Sequence, residues 1–149
     1  MTKILVSACL LGLCCRYDGK EKADERVLKL LKRDDIQLVP VCPEQLGGME
    51  TPRLPSERRG EAVVNNAGED VTRHYKKGAA QALKTARLYG CKAAILKERS
   101  PSCGKGRIYD GTFSGTLTEG DGVTAKLLMD HGIQVFGESE AEFGSICGG

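Results

Sequence analysis

Three cysteines follow apolar runs that read as β-strands. Cys9 comes after KILVSA, Cys42 after IQLVPV, and Cys103 lies in the SPSCG turn that follows KAAILKE. In an open, mostly parallel α/β sheet the carboxyl ends of the strands lie along one edge, and ligands bind there. Thiols far apart in sequence can then meet at one place. Three soft ligands around one point suggest a metal or an iron–sulfur cluster. Three thiolates do not saturate a four-iron cluster, and an open coordination site marks a catalytic centre.

The neighbours of these cysteines add chemistry. Cys42-Pro43-Glu44 places a carboxylate two residues beyond a thiol, suited to moving protons beside a metal. Gly47 and Gly48 follow, and glycines let backbone approach a ligand closely. Ser100-Pro101-Ser102-Cys103-Gly104 is a polar turn whose amides and hydroxyls can face one bound group. Lys97, Arg99, Lys105 and Arg107 flank it, an arrangement expected to lower the Cys103 pKa and favour the thiolate. Cys14 and Cys15 can replace Cys9 or supply a fourth thiol. Cys91, after Gly90, reads as a core filler, and Cys147 lies in a Gly-rich tail. His74 and His131 fall in or at the ends of expected helices and read as partly exposed helix residues.

The elements that must position these residues alternate. Residues 3–8, 36–41, 92–97 and 133–136 read as strands. A helix is expected from an Asp24 cap through Val27, Leu28, Leu30 and Leu31. A longer one is expected from a Thr72 cap to Tyr89, ended by Gly90, and a third over 121–131. Residues 43–60 read as a loop unusually long to lack structure, which points to function. AVVNNAGEDVT reads as a hairpin turning at Asn66-Ala67-Gly68, and RIYDGTFSG as another around Asp110-Gly111. Ser139 to Phe143 is expected to add a helical turn. This order predicts an α/β fold: a single Rossmann-like domain over residues 1–149, with a parallel sheet of about four strands, helices on both faces and two inserted hairpins.

Bulk properties narrow the function. The chain has 149 residues, 40% hydrophobic and 28% charged, with a formal net charge of +2. It is long enough to bury a core without disulfide staples. The charge is too small to argue for nucleic acid or an anionic membrane, and the longest apolar runs reach about half a membrane span. MTKILVSACLLGLCC resembles a short signal sequence but has one lysine before the apolar run and no small-residue cleavage site before RYDGK. A cytoplasmic setting is therefore expected, where seven cysteines point to metal binding or catalysis rather than disulfides. No CxxC is present, which counts against a thiol redox enzyme and an ordinary structural zinc site. The competing class is a small-molecule or nucleotide-binding regulatory module, with structural cysteines and SPSCGKGR cradling an anion. SPSCGKGR lacks both common phosphate-loop patterns.

The motifs SACLLGLCCRYDG, VCPEQLGG with TPR shortly after, and KERSPSCG together resemble the TudS thiouracil desulfidase family across essentially the whole chain. The resemblance implies a compact α/β domain with an oxygen-sensitive 4Fe–4S cluster on Cys9, Cys42 and Cys103. It implies that the open iron takes the sulfur of a thiocarbonyl substrate, that water replaces sulfur on carbon, and that sulfide leaves without net redox change. The family's glutamate carries over as Glu44, and its serine as Ser100, with Ser102 the less favoured choice. Ser102, Gly47 and Gly48 are the expected substrate contacts. The expected partner is a thiolated nucleobase or similar small molecule. The sequence leaves the natural substrate and the oligomeric state open.

Overall fold

The computed structural model describes residues 1–140. In chain order its elements are β1 (Thr2–Ser7), α1 (Glu25–Leu28), β2 (Ile36–Val41), α2 (Pro43–Leu46), β3 (Ser56–Arg59), β4 (Ala62–Asn65), α3 (Thr72–Tyr89), β5 (Ala93–Leu96), β6 (Arg107–Tyr109), β7 (Leu117–Glu119), α4 (Val123–Asp130) and β8 (Gln134–Gly137). Short 3-10 turns occupy Ala8–Leu11, Lys29–Lys32 and Glu138–Glu140. Cys147 and most of the expected terminal helical turn lie outside the described residues.

Four strands form one sheet in the order β2-β1-β5-β8, and every pairing in it is parallel. Both faces are covered, so the strands are apolar almost without interruption. Alternation along each strand divides the core in two. Ile4, Val6, Ala93 and Ile95 pack with Val27 and Leu30 around α1. Leu5, Val39, Ala94, Leu96 and Val135 pack with Ala82, Leu83, Ala125 and Leu128 of α3 and α4. The chain lays β2 on one side of β1 and then returns to place β5 on the other. The carboxyl ends of β1 and β5 thus flank the switch point where doubly wound sheets open a crevice.

Local sequence explains most boundaries. Asp24 caps α1 as expected, its carboxylate accepting from the Arg26 N–H at 2.9 Å. The helix lasts one turn before tightening to 3-10, which buries Leu30 and leaves Leu31 exposed. α3 ends at Gly90 (φ 71°), the left-handed residue that closes its last turn. Thr72 is not its cap: it is already helical, and its Oγ1 accepts from Val63 N–H at 2.9 Å.

The loop expected over 43–60 contains α2 and the whole of β3, the outgoing strand of the first hairpin. Pro43 starts α2, where a missing N–H costs nothing. The hairpin pairs β3 with β4 and turns at Gly60-Glu61. The Asn66–Gly68 turn leads only to a single bridge, Val64 with Asp70, because the Asn65 side chain accepts from the N–H groups of Ala67 and Glu69 instead. The second hairpin pairs β6 with β7, so Asp110-Gly111 opens a wider loop than a two-residue turn. Glu57 joins the two hairpins: its Oε1 accepts from Gly111 N–H at 2.9 Å and Phe113 N–H at 3.1 Å.

α2 lies directly on α3. A methyl group on Gly47 would meet His74 O at 2.0 Å, and one on Gly78 would meet Pro43 O at 1.9 Å. The exposed His74 adds Nδ1 at 2.9 Å from Gly47 O. This approach fixes the turn that follows Cys42. Gly78→Ala is therefore expected to cost about 1–3 kcal/mol of stability, measured by denaturant unfolding, with no comparable loss for Gln81→Ala at an exposed position of the same helix.

Candidate active site

A cavity of about 570 Å³ opens at the carboxyl ends of β1, β2 and β5. Cys9, Cys15, Cys42 and Cys103 all line it, together with Glu44 and Ser100. Cys9 sits on the 3-10 turn after β1, Cys42 at the junction of β2 and α2, and Cys103 on the turn after β5. The three strand ends thus deliver thiols to one place. Cys15 is the fourth thiol: it contacts the thiols of both Cys9 and Cys42, while the Cys42 Sγ lies 3.6 Å from Cys15 O. Cys14 is exposed, and Cys91 is buried in the core beside α3. Among the described residues no three His, Cys, Asp or Glu side chains are grouped to hold a single metal ion.

Burial dominates the thiol electrostatics. Cys103 is 4% exposed. Desolvation, then the nearby Glu44, push its thiol well above the usual range, although Ser7 and Ser102 hydroxyls pull the other way. This reverses the expectation that flanking cations lower it. Lys97 is bound to Glu138 Oε2 at 2.7 Å, and Lys105 lies over the Phe136 ring. Cys42 is raised by its Cys15 contact and by burial. The Cys42 contact pulls Cys15 down, but Cys9 and burial outweigh it and hold Cys15 at about 11.

Glu44 occupies the first turn of α2, and its side chain is 15% exposed. Burial raises its carboxyl above the ordinary range, opposed by Arg53 and a Ser102 contact. The Arg53 Nη2 is 3.6 Å from Glu44 Oε2. Arg53 is itself clamped by Cys15 O at 3.0 Å and by Glu50 O and Thr51 Oγ1 at 3.1 Å each. Tyr75 projects from α3 into the cavity wall, 3% exposed. Burial and then Glu44 keep its phenol protonated far above the usual range.

The SPSCG turn divides its serines. Ser100 lines the cavity, and its Oγ accepts from the N–H groups of Ser102 and Cys103 at 3.1 Å each. Its hydroxyl hydrogen remains available. Ser102 is fully buried, with Oγ 2.7 Å from Thr124 Oγ1, and stands behind Glu44 and Cys103 rather than on the cavity surface. Gly47 and Gly48 do not line the cavity; Gly47 serves the contact of α2 with α3.

The turn's amides are engaged within the protein. Ser100 Oγ takes two, and Gly104 N–H donates to Ser100 O at 2.8 Å. The first amides of α4 donate to turn carbonyls: Val123 to Pro101 at 2.9 Å, Thr124 to Ser102 at 2.8 Å. A helix start that elsewhere holds anions here holds the turn carrying Cys103. An anion cradle at SPSCGKGR, the basis of the regulatory-module alternative, gains no support from this arrangement.

Sequence reasoning missed three contributors. Arg53 was visible only as part of the TPR segment, Ser7 as the residue before the Ala8-Cys9 turn, and Tyr75 as one apolar position of a helix.

Fold and site together define a doubly wound α/β protein with a thiol-lined, carboxylate-bearing crevice at its switch point. The chain belongs to the 2-thiouracil desulfurase family, whose model matches residues 4–140. It is 49% identical over 147 residues to the uncharacterized protein YbbK of Bacillus subtilis (strain 168), covering 92% of this chain and 96% of that one. A solved structure titled [4Fe-4S]-dependent thiouracil desulfidase TudS superposes with a TM-score of 0.88 at 47% identity, covering 94% of this chain and 93% of that one. No helix of the described residues is long and apolar enough to cross a membrane.

Replacing Arg53 by Met would leave the buried Glu44 carboxyl without its cation and remove the guanidinium's hydrogen bonds to three oxygens. The expected loss is about 3 kcal/mol in unfolding free energy, read by denaturant titration; a change below about 0.5 kcal/mol would deny the clamp its role.

Proposed function

We propose that this chain is an iron–sulfur-dependent desulfidase that replaces the thiocarbonyl sulfur of a thiouracil-type base with oxygen and releases sulfide. The observation that carries this is the meeting of thiols from three strand ends with one buried, arginine-paired carboxyl in a single cavity. Family membership and the TudS superposition support the same conclusion.

The donor set fits a 4Fe–4S cluster. Its ligands are soft thiols, and a cuboidal cluster, bound at its corners, needs wider ligand spacing than a single ion. Cys9, Cys42 and Cys103 would hold it, with Ser7 and Ser102 hydroxyls supporting Cys103. When bound, the cluster supplies through its unligated iron a Lewis acid for the soft sulfur of C=S.

The chain's own groups manage protons and orientation. The Glu44 carboxylate takes a proton from water as the water oxygen bonds to the thiocarbonyl carbon. The C–S bond then breaks, the carbonyl forms, and the protons leave with sulfur as hydrogen sulfide, so no electrons are gained or lost. Burial gives Glu44 the proton affinity this needs, while Arg53 holds it in place. The Ser100 hydroxyl, oriented by two backbone amides, donates toward the developing negative charge. Its place on the cavity surface favours it over Ser102 as the serine of the reaction.

Anaerobic reconstitution is expected to give about four irons per chain and broad absorption at about 400 nm, with sulfide released from 2-thiouracil. Serine at Cys9, Cys42 or Cys103 should abolish colour and iron, whereas Cys15→Ala should keep both. Glu44→Gln should keep the colour and lose at least about 100-fold in kcat. A fully active Glu44→Gln enzyme would refute its proton role, and a protein that stays colourless would refute the cluster.

A further inference from the structure

The cavity wall built by the first hairpin and α3 carries polar groups that the reaction does not use. Glu57 is engaged: it holds the second hairpin's loop. Ser56 is different. It opens β3, is 8% exposed, lines the cavity, and its hydroxyl finds no hydrogen-bond partner among the described residues. Buried hydroxyls left unpaired are rare, because the lost hydration is not replaced. Pairing across the hairpin, Ser56 with Asn65, fixes its backbone, so only rotation about its own side-chain bonds is needed to meet an incoming partner.

Its polar neighbour is the Tyr75 phenol, which Ser56 influences without closing a hydrogen bond of normal geometry. Glu44 acts electrostatically on Tyr75 and on the thiols of Cys42 and Cys103. A ring small enough to present its sulfur to the thiols while touching Glu44 therefore has this pair within the same cavity. Two neighbouring hydroxyls, each able to donate or accept, match an adjacent ring N–H and carbonyl.

We propose that Ser56 and Tyr75 are specificity-determining residues that hydrogen-bond the oxo-amide edge of the substrate ring, away from its thiocarbonyl. This rests on the desulfidase reading above. A site built to bond a polar group discriminates strongly against analogues that lack it.

The test compares 2-thiouracil with pyrimidine-2-thione, which keeps the thiocarbonyl and loses the oxo group. In cluster-loaded wild-type enzyme, kcat/KM should favour 2-thiouracil by roughly 10–100-fold. Ser56→Ala should collapse most of that ratio through a higher KM for 2-thiouracil, with the 400 nm absorption retained, and Tyr75→Phe should act in the same direction. An unchanged ratio in Ser56→Ala overturns the proposal. If wild-type enzyme releases sulfide from neither compound, the desulfidase reading falls, and calorimetry decides the specificity claim separately. Uracil should then bind more tightly than pyrimidin-2-one, with the preference lost in Ser56→Ala. Binding of neither, or an unaltered preference, overturns it.

Discussion

A carboxyl group buried beside four thiols needs compensation, and the structure around the crevice is organised by how Glu44 obtains it. Its partner, Arg53, is nine residues further along, and the intervening chain turns back to deliver the guanidinium to 3.6 Å. Arg53 also reaches Cys15 O, and its own N–H donates to Tyr17 O at 2.7 Å. The segment after β1 and the segment after β2 are therefore joined through one side chain. Those two segments carry Cys9, Cys15 and Cys42. Removing one member of a buried ion pair leaves the other uncompensated, so the charge pair and the placement of the thiols are a single structural problem.

The third thiol is fixed by a different device. The SPSCG turn lies so close to the start of α4 that a methyl group on Gly122 would meet Ser102 O at 2.4 Å. Only glycine permits that approach, and it lets the unpaired N–H groups at the start of α4 donate to turn carbonyls. Backbone hydrogen bonds hold Cys103; a charge pair and a glycine–glycine contact between α2 and α3 hold Cys42 and Glu44. The inserted hairpins, joined by Glu57, are not part of the central sheet and supply the remaining walls.

The strand-end cysteines, the order of strands and helices and the Asp24 and Gly90 boundaries were legible because each rests on local patterning: apolar runs, caps and breakers. The site's supporting residues were not. Arg53 lies in a segment that sequence reads as loop, and its value comes from three oxygens brought together by the fold. The Cys103 environment was misjudged for a related reason. Lys97, Arg99, Lys105 and Arg107 flank it in sequence, but Lys97 turns to Glu138 and Lys105 to Phe136, leaving burial to decide. The first hairpin's register was displaced because Asn65 satisfies backbone amides with its side chain, a competition between side chain and ladder that composition does not reveal.

The direction of the thiol shifts bears on what kind of cysteine chemistry this crevice suits. A nucleophilic or redox-active cysteine works as a thiolate, and sites for it lower the thiol pKa with cations or helix N-termini. Here the charge acting on Cys103 is the Glu44 carboxyl, Lys97 and Lys105 are bound elsewhere, and the start of α4 is closed by turn carbonyls. Cys15, Cys42 and Cys103 are all pushed up. Such thiols are poor nucleophiles, yet they become thiolates when a positively charged metal group binds them and displaces their protons. The same burial that disfavours a dithiol mechanism leaves a soft-ligand pocket with a proton-binding carboxyl in its lining. These are the properties required for binding a cluster and handling the sulfur of a neutral ring.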